Sequence, residues 1–297
     1  MDLLVELEPV VEANLDRHLA AATEWMPHEY VPWSEGRDFT VDPWDPGQSQ
    51  LSRIAQVAFE VNLLTEDNLP SYHYEIASRF GRDGAWGSWV HQWTAEEGRH
   101  ATCIRDYLLV TRGVDPIQLE RDRMSQLRTG YHTGPKTAVE VLAYVSFQEL
   151  ATRVAHRNTG RYTQQPAAER LLARIAADEN LHMIFYRDLV RAALEVSPDE
   201  TVHAIAIEAM RFEMPGTGIR DFHRRAVQIA KAGIYDLRIH HDDVLIPLLR
   251  SWRLFELEGL SAHAEQARER LARFLADLDA AARAFEAKRA KVLTPTR

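Results

Sequence analysis

Thr94-Ala95-Glu96-Glu97-Gly98-Arg99-His100 is the stretch on which the fold turns. Glu97 and His100 stand three residues apart, which on an α-helix makes them neighbours on one face. A carboxylate oxygen and an imidazole nitrogen can therefore reach the same metal ion. The arrangement recurs at Asp178-Glu179-Asn180-Leu181-His182, again with an acid just before the glutamate. A third Glu-x-x-His, Glu200–His203, falls in the first turn after Pro198, where acids favour the helix dipole. No isolated glutamate precedes it at a useful distance, so it is set aside. About one such pattern is expected by chance in a chain of this composition, so the pairing and the helical context have to carry the reading.

A dinuclear carboxylate site in a helix bundle takes one glutamate from each of two helices and a Glu-x-x-His from each of two others. Glu66 lies 31 residues before Glu97, and Glu149 lies 30 before Glu179. Both sit in apolar surroundings, where an ionised carboxylate is costly without a positive partner. Glu66, Glu97, His100, Glu149, Glu179 and His182 are therefore the expected metal ligands. An oxygen-rich set with two imidazoles suits iron or manganese better than zinc. Glu96 and Asp178 are placed to accept a hydrogen bond from the far nitrogen of a ligand histidine. Arg99 is a possible partner for them. Thr152, three residues past Glu149, shares its face and could either meet a metal-bound oxygen species or simply bond its own backbone. Leu142 and Val145 lie on the same face, suited to a tunnel or to plain core.

The rest of the chain reads as helices. Leu3, Leu4, Leu7, Val10, Val11, Leu15 and Leu19 have helical spacing, interrupted by Pro9, near which the first helix proper is expected. Residues 25–50 form a proline-rich loop whose Trp25, Trp33 and Trp44 are expected to pack away from water. Long helices are expected over 51–80, capped by Ser49 or Ser52 and kinked at Pro70, and over 88–111, 137–159 and 166–194, with Gly160 separating the last two. Shorter ones follow over 114–127, 198–212, 219–232 and 242–256, before a last helix over 261–291 and a tail at 292–297. No segment alternates as a strand would. The expected fold is all-α: a ferritin-like four-helix bundle enlarged by further helices, as one domain over 1–297.

The chain has 35 basic and 44 acidic residues, a net charge of −9 with both signs scattered, which argues against a nucleic-acid-binding surface. A single cysteine, Cys103, excludes an internal disulfide and a built-in iron–sulfur carrier and reads as a buried small residue. No apolar run reaches the ~20 residues of a membrane span, and the acidic amphipathic start is unlike a signal peptide. A cytoplasmic location is expected.

Leu64–Tyr72, Trp93–His100, Ser146–Thr152 and Asp178–His182 together resemble the soluble acyl-(acyl-carrier-protein) desaturases, closest to their actinobacterial branch. The resemblance covers nearly the whole chain. It implies two iron ions bridged by Glu97 and Glu179, with Glu66 and His100 completing one and Glu149 and His182 the other. It implies a double bond introduced at the expense of O2 into an acyl chain on acyl-carrier protein, electrons from a ferredoxin, and a homodimer. Trp33 falls where the family places a tryptophan that reaches the histidine matching His100 through the residue matching Asp178. Arg220, Arg224, Arg225, Lys231 and Arg250 are candidates for meeting acidic partners. The chain departs from the family at Gly98, where an asparagine is usual, and in a shortened connection around Gly130–Lys136. A storage ferritin would be much shorter. The radical-generating ribonucleotide reductase subunit would carry a tyrosine four residues past its first Glu-x-x-His, where this chain has Ile104.

Overall fold

A computed structural model describes residues 3–132 and 134–293. Thr133, within the shortened connection, and 294–297 of the expected tail lie outside the described residues, while 292 and 293 complete the last helix. The described residues hold no strand. The helices are α1 (Leu3–Ala21), α2 (Arg53–Glu66), α3 (Leu69–Phe80), α4 (Gly84–Val110), α5 (Pro116–Thr129), α6 (Ala138–Thr163), α7 (Pro166–Val196), α8 (Pro198–Met210), α9 (Phe222–Lys231), α10 (Leu237–Ile239), α11 (Ile246–Ser251) and α12 (Ala262–Leu293). A π-helical turn, His240–Leu245, joins α10 to α11. No helix among the described residues is long and apolar enough to cross a membrane.

Two apolar layers sandwich a polar one. One contains Trp86, Trp89 and Trp93 of α4 with Met183 to Leu194 of α7, together with side chains of α1, α6, α8, α11 and α12. The other contains Cys103 to Leu108 of α4 and Leu171 to Ile175 of α7, with α2, α5 and the loop after α1. Between these layers the same two helices present Glu96, Glu97 and His100, and Asp178, Glu179 and His182, all buried. A change from apolar to ionisable residues midway along a buried helix is what a metal layer requires and what a plain core would not tolerate.

Local chemistry explains most boundaries. Ser52 caps α2 by accepting from the Ala55 amide at 3.2 Å. The helix expected over 51–80 is two helices, because Pro70 lacks the amide to continue the ladder and serves as an early residue of α3. α1 starts at Leu3 and runs through Pro9 rather than starting there. Gly160 is no separator. It lies inside α6, where a Cβ would stand 3.1 Å from the Glu169 Cα, so it allows α6 and α7 to approach closely. The segment expected as one helix over 242–256 is instead the π-turn followed by short α11.

The loop over 22–52 is ordered by three 3-10 turns. Arg112, itself buried, clasps it by donating to Gln48 Oε1 at 2.7 Å and to the Asp42 carbonyl, while lying over the Phe39 ring. Trp25 is buried, and Trp44 donates to the Arg112 carbonyl at 3.1 Å. Trp33 is 51% exposed, contrary to the expectation for all three tryptophans. Cys103 is buried, and burial pushes its thiol up to about 12.

Gly98 meets nothing that a methyl group would disturb, since a Cβ there would lie 3.9 Å from Leu69 Cδ2. Gly98→Ala is therefore expected to stabilise the protein by about 0.5–1 kcal/mol, from a smaller loss of backbone entropy. A shift of the denaturation midpoint to higher urea at constant slope would show it; a shift to lower urea would contradict it.

Candidate metal centre

Two groups of buried side chains form the site. Glu66, Glu97, His100 and Glu179 make one, and Glu97, Glu149, Glu179 and His182 the other; within each group the candidate ligand atoms lie within 4.8 Å of one another. Glu97 and Glu179 belong to both groups. The six residues expected from spacing are thus brought together from α2, α4, α6 and α7. Glu200 and His203 stay away: His203 stacks on His263, with ring centroids 4.6 Å apart.

Both histidines turn Nδ1 into the cluster. His100 Nδ1 lies 3.2 Å from Glu97 Oε2 and 3.2 Å from Glu179 Oε1, while His182 Nδ1 lies 2.9 Å from Glu97 Oε1 and 3.5 Å from Glu149 Oε2. Glu149 Oε2, both Glu179 oxygens and His182 Nδ1 are nevertheless buried with no hydrogen-bond partner. Buried polar atoms are rarely left so, and here the orphans converge on one space. Burial and the Glu179 charge hold the Glu149 carboxyl well above its ordinary range. Burial disfavours charge on both imidazoles, yet the surrounding carboxylates draw each toward protonation. The cluster lacks positive charge. Two divalent cations fit that deficit: four carboxylates and two neutral imidazoles would leave the assembly near neutral, and an oxygen-rich donor set matches iron or manganese.

The far nitrogens are held in turn. His182 Nε2 lies 2.8 Å from Glu96 Oε2, and His100 Nε2 lies 3.4 Å from Asp178 Oδ2. Each carboxylate can accept from its ring's Nε2–H, and with a metal bound that would leave the Nδ1 lone pair for the ion. Asp178 also accepts from Arg174 and from Trp25 Nε1, the latter at 2.7 Å. Arg99 reaches Asp178 at 3.6 Å and lies over the Trp25 ring.

Trp33 is not in this chain of contacts. Its Nε1 donates to the His28 carbonyl at 3.0 Å, and its ring faces outward. Trp25 occupies the position expected for Trp33. Thr152 is buried and accepts from Gln148 Nε2 at 3.1 Å; it stands beside Glu66 at a cavity wall, outside both ligand groups.

Three residues were missed by reading the sequence. His156 Nε2 lies 2.8 Å from Glu66 Oε1, and its place seven residues past Glu149 put it on the ligand face. Trp93 Nε1 donates to Glu149 Oε1 at 3.1 Å, and its place four residues before Glu97 offered the same signal. His18 Nε2 lies 2.9 Å from Glu96 Oε2, and its place seven residues past Val11 put it on the buried face of α1.

Residues 1–296 match the family model described as fatty acid desaturase. The chain belongs to the fatty acid desaturase family. It is 48% identical to Mycobacterium tuberculosis DesA1, named "Putative acyl-[acyl-carrier-protein] desaturase", over 99% of this chain and 90% of that one. It is 32% identical to "Acyl-[acyl-carrier-protein] desaturase 7, chloroplastic" of rice, over 91% of this chain and 72% of the relative. The X-ray structure titled "putative acyl-ACP desaturase DesA2" from M. tuberculosis superimposes with a TM-score of 0.74 at 34% identity, over 90% of this chain and 99% of that one. The ferritin-like helical fold of the desaturase family is thus the fold of this chain.

Proposed function

We propose that the protein introduces a cis double bond into an acyl chain carried on acyl-carrier protein, consuming O2 and two electrons from a ferredoxin-type donor. The balance is one CH2–CH2 unit, one O2, two electrons and two protons giving one CH=CH and two waters. No amino acid is a strong enough oxidant to dehydrogenate unactivated methylenes. Two iron ions held by Glu66, Glu97, His100, Glu149, Glu179 and His182 would supply the oxidising power, with Glu97 and Glu179 shared between them.

The observation that carries the reading is an apolar cavity of about 110 Å³ whose wall includes Glu66 and Thr152, with Val61, Met214, Phe222 and Ile229 among the other lining residues. Outward, Met214, Phe222, Ala226 and Tyr235 also line a larger open cleft on the α9 side. Beyond Gln148, the hydrogen-bond partner of Thr152, a smaller apolar hollow is bounded by Trp93, Val141 and Val145. An extended hydrocarbon entering at α9 would pass the metal layer and end near Trp93. Both Leu142 and Val145 belong to the core, and Val145 also lines this path. Dry walls hold the reacting carbons and exclude side reactions. Thr152 could offer its hydroxyl proton toward the metal layer.

Of the five basic residues singled out in the sequence, Arg220 and Arg225 are engaged by Asp122 and Glu60. Arg224 lines the outer cleft and, with exposed Lys231 on the same helix, is the better candidate for meeting an acidic carrier at the mouth; Arg250 is exposed on α11, outside the residues that line this cleft. Assembly as a homodimer belongs to the same proposal.

The test is to reduce the iron-loaded protein without O2, admit O2 with a panel of acyl-carrier thioesters, and locate any double bond by mass spectrometry. Alkene supports the reading. Uptake of O2 with mineralised iron and no alkene would instead favour a ferritin-like iron oxidase.

The Trp25–Asp178–His100 chain gives a second check. Trp25→Phe keeps the ring but removes the N–H that Asp178 accepts, so metal content should persist while reduction by an external donor slows about tenfold, the low end for a partner of a metal ligand. Trp33→Phe should leave that rate unchanged. The reverse pattern would restore the role to Trp33.

A further inference from the structure

A second cavity, of about 300 Å³, is lined by residues of α6, α7, the π-turn and α11, and none of the six ligand residues contributes to it. Its floor is apolar, with Leu150, Met183 and Leu248, and the guanidinium groups of Arg153, Arg157 and Arg187 border it. Arg153 and Arg157 stand one turn apart on α6, and neither has an ion-pair partner among the described residues. Arg153 is partly buried, and both burial and the charge of Arg157 press its guanidinium toward the neutral form.

Arg187 is paired but not neutralised. Its partner Asp188 is shared with Arg17 at 2.6 Å and Arg191 at 3.3 Å. Asp243 is the one acid among the residues that line the cavity, so three arginines border it against one aspartate, in a chain whose net charge is −9. Keeping Arg153 and Arg157 together with no carboxylate in direct contact costs stability, and a bound anion would remove that cost. Asp243 comes from the π-turn His240–Leu245, and single π-helical turns recur where helices have been adapted to a functional site.

We propose that this pocket binds a phosphate ester, with the phosphate between the Arg153 and Arg157 guanidinium groups and its organic part over Leu150, Met183 and Leu248. Arginine forks match phosphate oxygens two at a time, and the apolar floor selects an ester with a hydrocarbon or flexible arm over the bare ion. The site does not depend on the desaturase reading.

Binding is measured by calorimetry on the full-length, metal-loaded protein with three probes: inorganic phosphate, dodecyl phosphate below its micelle threshold, and coenzyme A. The organic phosphates should bind at least tenfold tighter than inorganic phosphate. Arg153→Met with Arg157→Met should weaken them at least tenfold, and Lys288→Ala, at an exposed position of α12, should not. Arg157 is exposed, so the single Arg157→Met variant should fold normally and still show a several-fold loss. Tighter dodecyl phosphate identifies a lipid-like ester, and tighter coenzyme A identifies a pantetheine-type arm. No binding at millimolar concentration, or affinity unchanged in the double variant, overturns the site; equal affinity for all three probes overturns the role of the apolar floor.

Discussion

Glu149→Ala is expected to leave one metal ion per chain and to reduce alkene formation below detection. Glu149 belongs to only one of the two ligand groups, so Glu66, Glu97, His100 and Glu179 remain for the other ion. Stability and metal binding should move apart in this variant. Loss of the carboxylate leaves Trp93 Nε1 without its acceptor, a cost of about 1–3 kcal/mol for a buried donor. The same change relieves repulsion from Glu179, which with burial raises the Glu149 carboxyl. The metal-free variant should therefore unfold close to the metal-free parent, although it binds half the metal. Metal analysis, denaturation curves and product analysis on one preparation check all three statements. Two ions per chain with turnover retained would refute the assignment of Glu149.

Stripping the metal from the unaltered protein should lower its thermal midpoint by roughly 10 °C. A ligand that binds only the folded state, at about a thousand times its dissociation constant, contributes ~4 kcal/mol. In chains of this size each kcal/mol moves the midpoint by about 2–4 °C. The sign follows from the cluster itself: Glu66, Glu97, Glu149 and Glu179 are all buried, with only imidazoles to offset them. Differential scanning of metal-loaded and chelated samples measures the shift. A midpoint unchanged by chelation would mean that no metal is held by these groups.

Helical periodicity made the ligands legible in the sequence. Glu97 with His100 and Glu179 with His182 share faces of α4 and α7, and an isolated glutamate in an apolar helix is too costly to be incidental. The same logic reached Glu96 and Asp178, and would have reached Trp93 and His156 had the ligand faces been followed one turn further. Trp25 and Trp33 show where that logic stops. Both lie in a loop without a repeat, so no periodicity says which ring enters the core. His18 shares the buried face of α1 with Leu7 and Val11, but its partner Glu96 was not legible because α1 meets α4 only in three dimensions. Gly160 was misread because a glycine can end a helix or admit a neighbouring one, and the sequence does not say which. The unpaired arginines on α6 gave no signal, since a charge on a helix usually faces water.

The most direct test is an anomalous difference map at the iron edge, from crystals of the full-length protein loaded with ferrous iron without O2. Two peaks are expected about 3.5–4 Å apart, the usual separation of a dinuclear site, with Glu97 and Glu179 touching both, Glu66 and His100 touching one, and Glu149 and His182 the other. A single peak, or peaks away from these six side chains, would contradict this assignment.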